Sequence, residues 1–190
     1  MTQAFVFPGQ GSQAVGMGHA LAEVYPEARA VFAAVDDVLG QKLSDLMWQG
    51  PEDELTLTEN AQPALMAVSI AALRVLEARG LNLAESASHV AGHSLGEYTA
   101  LTAAGALQLE DTARLLKLRG QAMQRAVPVG VGAMAALLGL DFDAVAEIAS
   151  EAATDDEICA AANDNANGQE VISGHAAAVA RACDLAKERG

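Results

Sequence analysis

Aromatic residues are scarce in this chain: four Phe, two Tyr and one Trp make up 4% of 190 residues, although hydrophobic residues as a class reach 52%. A core of stacked rings is therefore excluded, and the interior has to be built mainly from Ala, Val and Leu. Cysteine is nearly absent as well. Cys159 and Cys183 show no C-x-x-C spacing and no matched histidines, which excludes a disulfide scaffold and argues against a metal site. They are expected to be small buried hydrophobes in a reducing cytosol. Basic residues are few, 11 Lys and Arg against 25 Asp and Glu, for a net charge of −14, so nucleic acid and anionic membrane are poor partners. No apolar run approaches the ~20 residues needed to cross a bilayer. The start, Met1-Thr2-Gln3-Ala4-Phe5, lacks the basic opening of a signal peptide. A cytoplasmic globular protein is expected, either one domain or one domain with an added lobe.

The most informative stretch is Ala91-Gly92-His93-Ser94-Leu95-Gly96-Glu97-Tyr98. A short apolar run, His89-Val90-Ala91, feeds a Gly-x-Ser-x-Gly turn, and an Ala/Leu-rich helical pattern follows at once. Strand, sharp turn and helix in that order are what a nucleophile elbow requires. The strained turn tolerates no bulk two residues either side of the serine, and Gly92 and Gly96 meet that need. Ser94 would then stand at a helix N-terminus, where free N–H groups and the positive dipole end can receive an oxyanion.

Ala4 to Phe7 reads as a buried strand closed by Pro8-Gly9. Residues 16–46 read as two or three short helices broken near Pro26 and Gly40, and Pro51 to Asn60 as a polar loop. A long helix is predicted from Ala61 to Arg79, ending at Gly80. After the elbow helix, to about Ala104, another runs from Leu109 to Val127. Strands separated by helices imply a parallel, doubly covered sheet. Beyond Pro128-Val129-Gly130 the order is strand 132–140, helix 141–153 opened by an Asp cap, strand 158–162, strand 169–172 and helix 176–188. This βαββα order is a ferredoxin-like lobe one strand short. The expected fold class is α/β: an α/β-hydrolase-like parallel-sheet core over 1–127 and a ferredoxin-like small lobe over 128–190, both incomplete at the C-terminus.

The first glycine loop, Phe7-Pro8-Gly9-Gln10-Gly11-Ser12-Gln13, has three readings. Gly9-x-Gly11-x-x-Ala14 after a strand matches a dinucleotide fingerprint, but the acidic residues it wants, Asp36 and Asp37, fall inside a helical pattern. It could be a tight strand-to-helix turn and no more. The favoured reading is a loop that brings backbone and the Gln10 amide beside Ser94.

The Phe7–Gln13 loop, Gly92-His93-Ser94-Leu95-Gly96-Glu97-Tyr98 and Arg119-Gly120-x-x-Met123-Gln124 occur in this order and spacing. Gly132-Ala133-Met134-Ala135-Ala136 and Asn163-x-Asn165-x-x-Gly168-Gln169-x-Val171-Ile172-Ser173-Gly174 follow. Together they resemble the malonyl-CoA:acyl carrier protein transacylase family of fatty acid synthesis over essentially the whole chain. One departure is Asn167, where that family usually has proline.

The resemblance implies a malonyl transfer from malonyl-CoA to acyl carrier protein through an ester on Ser94, with no metal or redox cofactor. It implies the Leu95 N–H and a main-chain donor in the Gln10 loop as the oxyanion hole. Arg119 would read the free carboxylate of malonate. Its apolar neighbours Leu115, Leu116, Leu118 and Met123 predict a buried setting. On the residues alone an arginine paired to a surface Glu is simpler; the resemblance favours the carboxylate. Gln13 and Met123 would line the acyl pocket, and Asn163 would sit near the substrate cleft. Docking of an acidic carrier protein would fall to Arg114, Lys117, Arg125, Arg181, Lys187 or Arg189.

A serine nucleophile needs a base. Only His175 follows Ser94 in the chain, and it is read as a structural cap at a helix start. His93 should point away from Ser94, while His19 and His89 read as surface or satisfied positions. The resemblance places the general-base histidine in a later segment, so the chain is expected to be an N-terminal portion that ends before it, and a monomer when complete. Two alternatives stand: a serine hydrolase or thioesterase sharing the elbow, and an inactive fragment that only binds CoA or carrier protein.

Overall fold

A computed structural model describes residues 3–128 and 130–190. The chain divides between Gln124 and Arg125 into two compact units.

In the first unit β1 (Gln3–Phe7) and β2 (Ala87–Gly92) pair in parallel, with Phe5 opposite Val90 and Phe7 opposite Gly92. Phe5 and Val90 pack on the core, whereas Val6 is 76% exposed, so within this chain the pair is covered on one face. Along β1 the period of two turns Phe5 and Phe7 inward and Ala4 and Val6 to the opposite face. Around the pair lie α1 (His19–Val24), α2 (Pro26–Leu39), α3 (Leu43–Gln49), α4 (Glu52–Thr56), α5 (Thr58–Ala78), α6 (Leu83–Ser86), α7 (Leu95–Ala103) and most of α8 (Leu109–Ala126).

The core is organised on α5. Its Ala64, Met66, Ala67, Ile70 and Ala71 are fully buried, and they meet Phe32 and Val35 of α2, Leu43 and Met47 of α3, Leu95 of α7 and Leu116 of α8. Small alanines let neighbouring helices approach closely, which is how a chain with few rings still fills an interior. At 21 residues α5 is the one helix among the described residues long and apolar enough to cross a membrane, contrary to the sequence expectation of no such run. Its most apolar window is 61% buried, the state of a core helix that is hydrophobic almost all round.

The stretch 51–60, predicted as a loop, instead holds α4 and the start of α5. Glu52, Asp53 and Glu54 occupy the first turn of α4, where carboxylates favour a helix N-terminus, and Leu55 anchors the turn by full burial. Polarity there marks an N-terminal turn.

The second unit is a three-stranded antiparallel sheet in the order β3-β5-β4, built from β3 (Gly132–Leu138), β4 (Cys159–Ala166) and β5 (Gln169–His175), with α9 (Phe142–Ala152) and α10 (Ala176–Arg189). Ala135 faces Ile172, and Asn163 faces Val171. Leu137, Val145, Ile148, Ala149, Ile172, Val179 and Ala182 form its core. Asp141 caps α9, its side chain accepting from Ala144 N at 2.9 Å. β4 and β5 both outrun their predicted ends. β4 continues through polar Asn163 to Asn165 because one ladder edge suffices to pair them, with register shifts on the way. β5 continues because a Cβ at Gly174 would fall on the carbonyl of Ile158, so only glycine lets β4 lie there.

Candidate active site

Ser94 sits between β2 and α7 with φ 55° and ψ −110°, the one non-glycine residue at positive φ among those described. That strain is held by its surroundings. A Cβ at Gly92 would fall on the backbone of Gly96, and a Cβ at Gly96 on the carbonyl of Phe7, so both flanking positions require glycine. His93 N donates to Phe7 O at 3.2 Å, and Gly96 N to His93 O at 2.9 Å, which lock the turn to the end of β1. Leu95 is the first residue of α7, so its N–H has no carbonyl four residues back within the helix.

A polar chain converges on the serine. Arg119 Nη2 donates to Ser94 Oγ at 3.0 Å, and Arg119 Nη1 donates to Gln62 Oε1 at 2.6 Å. Gln62 is fully buried on α5, and its Nε2 donates to Thr58 Oγ1 at 2.9 Å and to Met123 Sδ at 3.3 Å. Thr58 Oγ1 in turn donates to Gln10 Oε1 at 2.8 Å. The guanidinium also lies over the Tyr98 ring, 5.9 Å from its centroid. A half-buried cation thus stands against a nucleophile-type hydroxyl, an arrangement suited to receiving an acyl group that carries its own carboxylate.

Comparison with known proteins decides the family. A family model described as the acyl transferase domain matches residues 4–190. The chain belongs to the acyl transferase domain family. It is 48% identical over 187 residues to the malonyl CoA-acyl carrier protein transacylase of Bacillus subtilis, covering 98% of this chain and 58% of that protein. The Escherichia coli K12 protein of the same name is 47% identical over 191 residues, covering 100% of this chain and 60% of that protein. Among solved structures, the acyl-carrier-protein-S-malonyltransferase of Bartonella henselae superposes with a TM-score of 0.94 at 58% identity, over all of this chain and 60% of that one. A malonyl-transacylase solved in complex with its type II PKS acyl-carrier protein superposes with a TM-score of 0.91 at 45% identity, again over all of this chain and 60% of that one. The mixed α/β architecture is thus that of these structures, and the chain spans about three fifths of the length of these relatives.

Within this acyl transferase domain the other candidate residues fall unevenly. Gln13 Oε1 accepts from Gly11 N at 2.8 Å, so that oxygen braces its own loop. Met123 is 43% exposed and touches Gln62. Asn163 belongs to the second unit, on β4. The buried setting read from the neighbours of Arg119 is corrected: Leu115, Leu118 and Met123 are exposed, and only Leu116 is buried. Helix α8 is amphipathic, and what shelters Arg119 is Gln62 across from it. No acidic residue pairs with Arg119 among the described residues.

The histidines have other partners. His175 Nδ1 accepts from Ile158 N at 2.9 Å, so it ties the start of β4 instead of capping α10 with its side chain. His19 stacks on Trp48 at 5.1 Å, and His89 Nδ1 meets Ser88 Oγ at 2.8 Å. The His93 ring packs where a Cβ on Gly9 would go. Among the described residues the hydrogen-bond partner of Ser94 Oγ is Arg119 and not an imidazole. Asp36, which the dinucleotide reading needs on a strand, is buried in α2 and accepts from Ser44 N at 2.9 Å and Ser44 Oγ at 2.6 Å, so it holds α3.

Thr58, Gln62 and Tyr98 were missed by sequence reasoning. Gln62 did carry a signal, an amide in an otherwise apolar helical run before Pro63. Tyr98 lies in the elbow motif itself, four residues after Ser94 and so on the same helix face. Thr58 carried none, since it lay in the stretch predicted as a loop.

Proposed function

We propose that the protein of which this chain is part transfers a malonyl group from malonyl-CoA to the phosphopantetheine thiol of acyl carrier protein, in two half-reactions through an ester on Ser94, in fatty acid synthesis. The observation that carries this reading is the hydrogen bond from Arg119 to Ser94 Oγ, which puts a carboxylate-binding cation beside the nucleophile. In the first half-reaction Ser94 Oγ attacks the thioester carbonyl, its proton passes to the general base that the family resemblance places outside this chain and from there to the departing CoA sulfur, and the developing oxyanion is received by the N–H groups of Leu95 and Gln10. Collapse expels CoA as its thiol. The carrier thiol then attacks the ester and Ser94 recovers its proton. Arg119 moves its second fork from the serine to the malonyl carboxylate, holding the acyl group by a bidentate pair. Gln13, Met123 and Asn163 are assigned to substrate binding, and no histidine of this chain to the base.

We further read β1, β2 and the elbow as an α/β-hydrolase-like core over 1–127. The second unit, with its β3-β5-β4 order, is read as a ferredoxin-like lobe over 128–190. The reaction needs no metal or redox cofactor, and a cytoplasmic monomer in its complete form is the expected setting. Of the cations considered for carrier docking, Arg114, Lys117, Arg181, Lys187 and Arg189 each pair with an acid, while Arg125 carries no ion pair among the described residues. Arg125 is therefore the favoured docking cation. A serine hydrolase acting on neutral esters has no use for a guanidinium on its nucleophile, which sets that reading second.

The test is intact mass after incubation with malonyl-CoA and, separately, acetyl-CoA. A malonyl adduct that is absent in Ser94→Ala and weak with acetyl-CoA is the expected result. Adducts of equal yield from both thioesters would overturn the assignment of Arg119, and an adduct surviving Ser94→Ala would overturn that of the nucleophile.

A further inference from the structure

The hydrogen bonds around Arg119 have a direction that the chemistry of their groups dictates. A guanidinium only donates, so Gln62 must present its carbonyl oxygen to Arg119 and its NH₂ to Thr58. The Thr58 hydroxyl has one proton. Because its oxygen accepts from Gln62, that proton goes to Gln10 Oε1, and the NH₂ of Gln10 is turned away from Thr58. One cation thereby sets the orientation of two amides and a hydroxyl across three segments: α8, the start of α5 and the Gln10 loop.

From this directed chain we infer that Thr58 is a positioning residue, which fixes the Gln10 loop, and with it the oxyanion side of the site, to the Gln62–Arg119 pair that reads the acyl carboxylate. The inference rests on the transfer proposed above. Thr58 lies at the first position of α5, half-buried, and is the only residue bonded to both glutamine side chains among those described. Valine would keep its shape while removing both the donor and the acceptor. Gln62 Nε2, buried, would be left with the weak acceptor Met123 Sδ, and Gln10 would lose its side-chain tether. Arg119 would keep Gln62 Oε1 and Ser94 Oγ. The loss therefore falls on the oxyanion side, which serves every acyl group, and not on recognition of the carboxylate.

The experiment compares the chain with Thr58→Val and Thr58→Ser in single-turnover acylation of Ser94 by malonyl-CoA, read by quenched mass spectrometry. The side-chain amide resonances of Gln10 and Gln62 are followed in parallel by ¹H–¹⁵N NMR without substrate. Thr58→Val is expected to lower the maximal acylation rate about tenfold, in keeping with the sensitivity of such reactions to small misplacements. The half-saturating malonyl-CoA concentration should stay within about twofold of the parent value, and Thr58→Ser should restore the rate. The Gln10 amide pair should shift in the valine variant and return in the serine variant. A valine variant that changes only the half-saturating concentration, or a serine variant that fails to rescue, would overturn the inference. A parent chain that takes no malonyl group shows that acylation needs the rest of the protein and leaves the test to NMR: Gln10 resonances indifferent to Thr58→Val would sink the inference.

Discussion

At the scale of single residues, Arg119 and Glu170 show how burial and partners turn a side chain into a testable quantity. Arg119→Met keeps the stem and removes the charge. Malonyl transfer to Ser94 should fall by about a hundredfold or more, the scale set by losing one partner of a sheltered charge pair, while acetyl transfer changes little. Rates measured with the two thioesters check this, and equal losses on both would show that Arg119 serves Ser94 alone. Glu170 stands on β5 between Leu137 and Asp164, is 2% exposed, and its Oε2 lacks a partner among the described residues. Burial first, then the charges of Asp164 and Asp141, push its carboxyl above the usual carboxylate range. The folded chain therefore holds this proton more tightly than the unfolded chain does. Its contribution is fully present below the unfolded carboxylate value and is lost as pH rises through the folded one. Glu170→Gln should raise the melting temperature at pH 8 and leave it nearly unchanged at about pH 3.5, below the unfolded carboxylate value, when followed by circular dichroism. A gain as large in acid would contradict this account. At this scale Ser94 and Arg119 could be picked out of the chain because each lies inside a short motif. Thr58 could not, because its role is set by a partner 48 residues away, and the lone amide of Gln62 in an apolar run gave no hint of its partner 57 residues on.

Among the elements, the crossing of α8 over the start of α5 matters most, because it delivers Arg119. A Cβ at Gly120 would fall on the backbone of Glu59, so glycine is what permits the approach. One turn earlier Lys117 Nζ donates to Gln41 Oε1 and to Asn60 Oδ1, both at 2.9 Å, and lies 3.4 Å from Glu59 Oε2. Gly120→Ala should force the two helices apart, costing about 1–3 kcal/mol of stability. It should also weaken malonyl transfer by moving Arg119. Denaturant unfolding and acylation measured on the same sample check both, and a variant of parent stability with parent rate would show that the crossing tolerates a methyl group. Most elements were legible in the sequence, since α2 and α8 carry their apolar period locally and α2 also its glycine stop, Gly40. The error over 51–60 was physical: carboxylates that favour a helix N-terminus look the same as a solvated loop until Leu55 is seen to be buried.

For the whole molecule, two opposing quantities set its behaviour in solution. The net charge of −14 repels a second copy. Against it stand side chains on strands that are exposed in this 190-residue chain, Val6 at 76%, Leu138 at 69% and Met134 at 60%. Salt screens the first and leaves the second. Sedimentation velocity should therefore give a monomer at about 0.02 M salt and concentration-dependent association near 1 M, where the screening length is only about 3 Å. Val6→Lys should reduce the association. Association indifferent to salt would mean that charge does not hold the copies apart.

The elbow was determined by the sequence alone because its constraints are local: strand, glycine, serine, glycine and helix all fall within ten residues, and each demand is met by the residue's own size or backbone freedom. The mixed α/β order was likewise written in the alternation of short apolar runs with helical periods. What shelters Arg119, and in which direction the protons of Gln62, Thr58 and Gln10 point, was decided only by the tertiary structure. Those groups come from segments far apart in the chain, and a hydrogen bond acquires its partner and its direction only when folding brings the two ends together.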